Sequence, residues 1–131
     1  MKKILVIEDD TRLQKLLTDE LTDEGYEITL AGDGKEALAL IKGDDVLPDL
    51  IILDIVMPGM DGIEVCRRLR ADPQTRTTPI ILLSAFHGPK LSLKGRQAGA
   101  TSIIRKPFGP EHIIDAIGKI EGVLAVRYLP V

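Results

Sequence analysis

Five short apolar runs, separated by segments with helical spacing, constrain this chain more than any other feature. Four of them are continuous: Ile4-Leu5-Val6-Ile7, Leu50-Ile51-Ile52-Leu53, Ile80-Ile81-Leu82-Leu83 and the shorter Ile103-Ile104. Unbroken runs of this length fit strands buried on both faces, as inside a parallel sheet covered by helices. The fifth, Tyr26-Glu27-Ile28-Thr29-Leu30, alternates and suits a strand with one wetter face.

Between the runs, apolar residues recur at helical intervals. In residues 11–24, Leu13, Leu16, Leu17 and Leu21 share one face, with Asp10 or Thr11 as N-cap and Gly25 as the stop. Residues 34–42 follow an Asp33-Gly34 turn, place Ala37, Leu38 and Ile41 inward and end at Gly43. Residues 61–71 gather Val65, Cys66 and Leu69 on one arc with Ile63 at its edge. Arg67, Arg68 and Arg70 fall outside that arc and read as a solvated face. Residues 88–98 make the weakest helix because Gly88, Pro89 and Gly95 all oppose it. Residues 110–121 begin at Pro110 and bury Ile113, Ile114, Ile117 and Ile120, despite Gly118. Strand and helix repeated five times predict an α/β domain, a parallel sheet with helices on both faces.

Composition narrows the function. A chain of 131 residues is one domain's worth. Its 17 basic and 20 acidic residues give a net charge of −3, the wrong balance for neutralising nucleic-acid phosphates. The single cysteine, Cys66, excludes an internal disulfide and reads as core packing. His87, His112 and Cys66 share no ligand spacing, which speaks against zinc. The first apolar run stops at Glu8-Asp9-Asp10, short of a signal peptide or a membrane span. The expectation is therefore a cytoplasmic chain without membrane insertion. Two Tyr, two Phe and no Trp supply no platform for stacking bases or a flavin.

In such sheets, ligands sit beyond the carboxyl ends of the strands. The residues there are Glu8-Asp9-Asp10, Asp54, Ser84 and Arg105-Lys106. Crowded carboxylates raise one another's pKa unless a cation neutralises them, and Mg²⁺ takes such oxygen ligands together with phosphate oxygens. A lysine at the same edge suits a phosphoryl oxygen, and Ser84 adds a hydroxyl donor. The set reads as a phosphoryl-transfer site. No GxxxxGK[ST] loop and no G-x-G-x-x-G are present to cradle a nucleotide. Asp54 is then open to act as a carboxylate nucleophile that accepts the group from another donor.

These residues resemble the receiver domain of two-component response regulators, in particular its single-domain chemotaxis-regulator-like type. The resemblance runs from about Lys2 to about Ile120. It rests on Ile4-Leu5-Val6-Ile7-Glu8-Asp9-Asp10, on Asp54 with Met57-Pro58-Gly59-Met60-Asp61-Gly62, on Ser84-Ala85, and on Lys106-Pro107-Phe108. It implies a flavodoxin-like (βα)5 doubly wound sheet of order 2-1-3-4-5. It also implies that Asp54 is the phosphoacceptor and that Glu8, Asp9, Asp54 and the Val56 backbone carbonyl hold Mg²⁺. Ser84 would bond the installed phosphoryl group, and Lys106 would stabilise its charge next to a cis Lys106-Pro107 peptide. Asp10 and Asp61 read as helix caps. The implied partners are a histidine kinase or histidine phosphotransfer protein and a downstream protein target, in a signalling role rather than that of an enzyme.

Two positions depart from the family. Ile103 stands where Tyr or Phe is common, so an aromatic flip coupled to Ser84 is not the readout here. Val56 and Phe86, two past Asp54 and Ser84, are both apolar and cannot orient water, which predicts slow hydrolysis of an aspartyl phosphate. Lys90, Lys94 and Arg96 read as surface charge, in a segment where receivers commonly meet partners. Residues 1–122 read as the receiver and 123–131 as an apolar tail or helix extension. The tail has three open roles: extending the last helix, packing back, or sealing a homodimer. The expectation is a stand-alone regulator, the alternative a piece of a longer protein. Among rivals, a haloacid-dehalogenase-type phosphatase needs DxDx[TV] after the first strand, which Glu8-Asp9-Asp10-Thr11 does not match. A flavodoxin-like carrier needs a hydroxyl- and Gly-rich loop after Ile7, which is lacking. An adaptor that keeps the fold but not the chemistry differs only in whether Asp54 is modified.

Overall fold

The computed structural model describes residues 2–43, 47–86 and 88–127, with side chains as far as Val123. The elements run β1 (Lys3–Ile7), α1 (Thr11–Asp23), β2 (Glu27–Ala31), α2 (Gly34–Lys42), β3 (Leu50–Asp54), α3 (Gly62–Ala71), β4 (Ile80–Ser84), α4 (Pro89–Ala98), β5 (Ser102–Arg105) and α5 (Pro110–Arg127). The five strands form one sheet in the order β2-β1-β3-β4-β5, and every neighbouring pair is parallel. This is the doubly wound, flavodoxin-like arrangement expected.

The continuous runs are apolar at every position because both faces of the sheet are covered. Leu5, Ile7, Ile51, Leu53, Ile80 and Leu82 point into a core shared with α2, α3 and α4. Their neighbours Ile4, Val6, Leu50, Ile52, Ile81 and Leu83 point into a second core closed by α1 and α5. Consecutive side chains of a strand project to opposite faces, so a strand between two helical layers has no position left for a polar residue. β2 is an edge strand, where Leu30 stays partly exposed, in keeping with its alternating sequence.

The helices depart from expectation at two places, Leu16 and Arg70. Leu16 lies off the buried stripe of α1 at 38% exposure, while Leu17 and Leu21 are buried and Leu13 packs at the margin. Arg70 does not belong to a solvated face: its guanidinium donates to the carbonyls of Gly99, Thr75, Arg76 and Thr78. Arg67 and Arg68 do lie in solvent and pair with Glu64. The last helix continues past residue 121 to Arg127, and Tyr26 donates its phenolic hydrogen to Glu121 (2.8 Å). Residues 128–131 and His87 lie outside the described residues.

Candidate functional site

Parallel strands all end at one edge, so the residues that follow them converge whatever their separation in sequence. β1 is followed by Glu8, β3 ends on Asp54, β4 ends on Ser84, and Lys106 follows β5. The ladder continues past the strands: Ile55 N–H donates to Leu83 O (3.0 Å) and Lys106 N–H donates to Ser84 O (2.7 Å). These bonds place Lys106 beside the two carboxylates at the centre of the sheet. Its ammonium donates to Asp54 Oδ2 at 3.0 Å and to Glu8 Oε1 at 3.4 Å. The Lys106-Pro107 peptide is cis.

The site is crowded with negative charge. Glu8 and Asp54 are buried and Asp9 is exposed, with one carboxylate oxygen from each lying within 4.8 Å of the others. Glu8 Oε2 also accepts from the main-chain N–H groups of Asp9 (3.0 Å) and Asp10 (3.3 Å). Burial, then hydrogen bonding to Asp54 and repulsion by it, pushes the Glu8 carboxyl up to about 8, against the pull of Lys106 and the Asp10 N–H. Burial disfavours the Lys106 ammonium, yet its bonds to Asp54 and the attraction of Glu8 outweigh this and raise its pKa. Three carboxylates facing one ammonium leave an excess of hard oxygen donors, a set that fits a divalent cation such as Mg²⁺.

Local sequence explains the support around these groups. Asp10 caps α1 by accepting from Arg12 N–H (2.9 Å) and Leu13 N–H (3.4 Å), which leaves it out of the acidic cluster. Asp61 caps α3 by accepting from Glu64 N–H at 2.9 Å. Gly62 then lets α3 lie directly on the end of β3, since a Cβ there would collide with the Asp54 carbonyl. Gln14 was not legible as a site residue, yet its side-chain amide donates to the Glu8 carbonyl (2.5 Å) and fixes the turn after β1.

Ser84 is buried, but its hydroxyl is occupied locally. It donates to the Phe86 carbonyl (2.6 Å) and accepts from the Phe86 N–H (3.0 Å). Val56 and Phe86 rise from the loops at the same edge with 55% and 65% of their surface exposed. Ile103 is half-buried on β5 beneath α4, packed against Gly95. Cys66 is core, donating to Ala98 O, and His112 accepts from the Gly109 N–H in its own helix turn. Among the described residues, no helix is long and apolar enough to cross a membrane.

Known proteins share both the fold and the sequence. Residues 4–118 match the family described as the response regulator receiver domain. The response regulator PleD of Caulobacter vibrioides is 45% identical over 106 residues, 81% of this chain and 23% of that protein. The DNA-binding response regulator MtrA of Mycobacterium tuberculosis is 40% identical over 113 residues, 86% of this chain and 47% of that one. The chain thus spans a quarter to a half of the length of these relatives. The structure of the chemotaxis response regulator CheY4 of Vibrio cholerae superposes with a TM-score of 0.84 at 35% identity, covering 92% of this chain and 98% of that one. A match over nearly the whole sheet, strand edge included, makes this chain a member of the response regulator receiver domain family, the phosphoacceptor modules of two-component signalling.

Proposed function

We propose that this receiver takes a phosphoryl group onto Asp54 from the phosphohistidine of a histidine kinase or histidine phosphotransfer protein. The observation that carries the reading is the contact of Lys106 with two buried carboxylates, Asp54 at 3.0 Å and Glu8 at 3.4 Å. A carboxylate oxygen of Asp54 attacks phosphorus. The new O–P bond forms as the N–P bond to the donor imidazole breaks, and the imidazole leaves with the electron pair. Lys106 holds positive charge against the phosphoryl oxygens throughout. Glu8, Asp9, Asp54 and the Val56 carbonyl are the groups that would hold Mg²⁺. When bound, Mg²⁺ supplies the charge that offsets repulsion between these carboxylates and an incoming phosphoryl group.

Ser84 reports the event by exchanging its Phe86 carbonyl acceptor for a phosphoryl oxygen, which frees the loop behind it. A downstream protein then binds the altered surface. Neither nucleic acid nor membrane is a direct partner in this reading, and its setting is the cytoplasm. Residues 1–122 serve as the receiver and 123–131 as an apolar tail or helix extension, with packing back on the domain or sealing a homodimer as the alternative roles. Val56 and Phe86 are exposed, apolar residues two past Asp54 and Ser84, positions that in the family flank the path of the attacking water, and neither side chain can activate it. The aspartyl phosphate therefore decays slowly, and Val56→Asn is expected to speed its loss; an unchanged decay rate would refute this.

Intact mass after incubation with Mg²⁺ and acetyl phosphate tests the reading. One added phosphoryl group is expected, absent from Asp54→Asn and from a metal-free control. No adduct from acetyl phosphate or from a phosphorylated histidine-kinase core would overturn it.

A further inference from the structure

Asp9 owes its place to the main chain alone. One of its carboxylate oxygens lies within 4.8 Å of oxygens of Glu8 and Asp54. Among the described residues, however, that carboxylate accepts no hydrogen bond and joins no ion pair. The direction of its Cα–Cβ bond is therefore set by the peptide joining it to Glu8, a rigid plane with a carbonyl on one side and an N–H on the other. Both groups are held. The Asp9 N–H donates to Glu8 Oε2 (3.0 Å), and the Glu8 carbonyl accepts from Gln14 Nε2 (2.5 Å).

The two holds differ in what else they serve. Glu8 Oε2 also accepts from the Asp10 N–H (3.3 Å), and Glu8 Oε1 from the Lys106 ammonium (3.4 Å). The same carboxylate is one of the groups that would hold Mg²⁺, so amides, ammonium and ion compete for it. Gln14 stands outside that competition. It is the fourth residue of α1 and half-buried. Its main-chain N–H donates to Asp10 O (2.9 Å), and its carbonyl accepts from the Thr18 hydroxyl (2.7 Å). Leu13 and Leu17 beside it pack into the core closed by α1 and α5, so the amide reaches the turn from a fixed base.

We infer that Gln14 is a positioning residue for the divalent cation. By holding the Glu8 carbonyl, it keeps the Asp9 carboxylate turned toward Glu8 and Asp54 while the Glu8 carboxylate is engaged by other groups. The inference deepens the phosphoacceptor reading above and rests on its Mg²⁺ site. Residues that orient metal ligands change affinity without touching the ion. Gln14 is uncharged, so replacing it by another neutral residue alters the geometry of the site and leaves its charge as it is.

Mg²⁺ titration of the metal-free whole chain, followed by amide chemical shifts with no phosphoryl donor present, tests it. Gln14→Met keeps the length of the side chain and loses the donor. Gln14→Asn keeps the donor and falls one methylene short of the carbonyl, and it decides the matter should the methionine variant fail to fold. Each is expected to weaken Mg²⁺ binding about three- to tenfold, the scale of one net hydrogen bond. Thr18→Ala removes a bond one turn further along the same helix and is expected to keep the affinity within about twofold. Urea titration of the metal-free variants separates the roles, since a merely structural tether lowers the midpoint and leaves the affinity of the folded protein unchanged. Wild-type affinity in either folded Gln14 variant would overturn the inference and leave the Mg²⁺ site standing. An equal loss in Thr18→Ala would also overturn it, by assigning the effect to α1 as a whole. Should the wild type take up no Mg²⁺, the cation reading fails and this inference falls with it.

Discussion

Helices α3 and α4 have ten residues each and pack on the same face of the sheet, yet they are held in opposite ways. α3 has a side-chain cap at Asp61 and buries Gly62, Ile63, Val65, Cys66 and Leu69. Its first turn presses against the main chain of Asp54 and Ile55. α4 lacks a side-chain cap and buries only Gly95 and Ala98, both toward its end. The one is a wall behind the strand that ends on Asp54, and the other is a sparsely buried element beside it.

The largest expected break in this contrast is truncation of the wall. Leu69→Ala is expected to lower unfolding free energy by about 2–5 kcal/mol in a urea titration, whereas Leu93→Ala on α4 stays within about 0.5 kcal/mol. Comparable losses at both sites would show that α4 is buttressed as firmly as α3.

Next comes the charged edge on which α3 rests. The unfolded chain releases the Glu8 proton in the ordinary carboxylate range, while the folded chain holds it up to about 8. Between those values the native state binds more protons, so stability falls as pH rises through that window. The effect is on the order of a few kcal/mol, the scale of an ion's burial penalty. Glu8→Gln should flatten the profile in metal-free buffer, and Mg²⁺ should offset the loss at the alkaline end. A wild-type profile already flat from pH 5 to about 8 would contradict the assigned burial cost.

Glycine substitution sharpens the difference between close and open packing. Gly95→Ala gains helix propensity but meets Ile103 and Leu82, so a net loss of about 1–3 kcal/mol is expected. Gly118→Ala on α5 meets nothing within 4 Å and should gain about 0.5–1 kcal/mol. Thermal melting of the pair gives shifts of opposite sign if Gly95 is packed against Ile103 and Leu82 as described. The smallest effect is at the cap: Asp61→Ala should cost about 1 kcal/mol, measured in the same titration.

Much of this molecule was legible in its residues. Continuous Ile, Leu and Val runs at four strands disclosed a sheet covered on both faces, because no alternating strand could survive there. Asp10 and Asp61 marked helix starts by side-chain chemistry that operates within one turn, and Gly43 marked a helix end through its backbone. Arg70 was illegible. Its helical position placed it outside the apolar arc, and nothing local reveals that carbonyls from residues 75–78 and 99 would surround its guanidinium. Leu16 erred in the other direction, since a leucine on the stripe's border is exposed or covered according to a neighbour distant in sequence. The long reach of α5 to Arg127 was equally hidden, because an apolar tail reads alike as helix, strap or seam.

The sequence by itself determined the order of elements, the apolar faces and which polar residues stand at the strand ends, since periodicity and capping are local properties of the chain. Tertiary structure decided what those residues do to one another. Lys106 lies 98 positions from Glu8 and 52 from Asp54, and only parallel strands ending at one edge bring its ammonium to both. The raised Glu8 carboxyl follows from that convergence, because desolvation and like-charge repulsion are properties of the place where a side chain ends up. The same holds for α4, whose residues form a helix on their own account and acquire a fastened end only where α3 meets it.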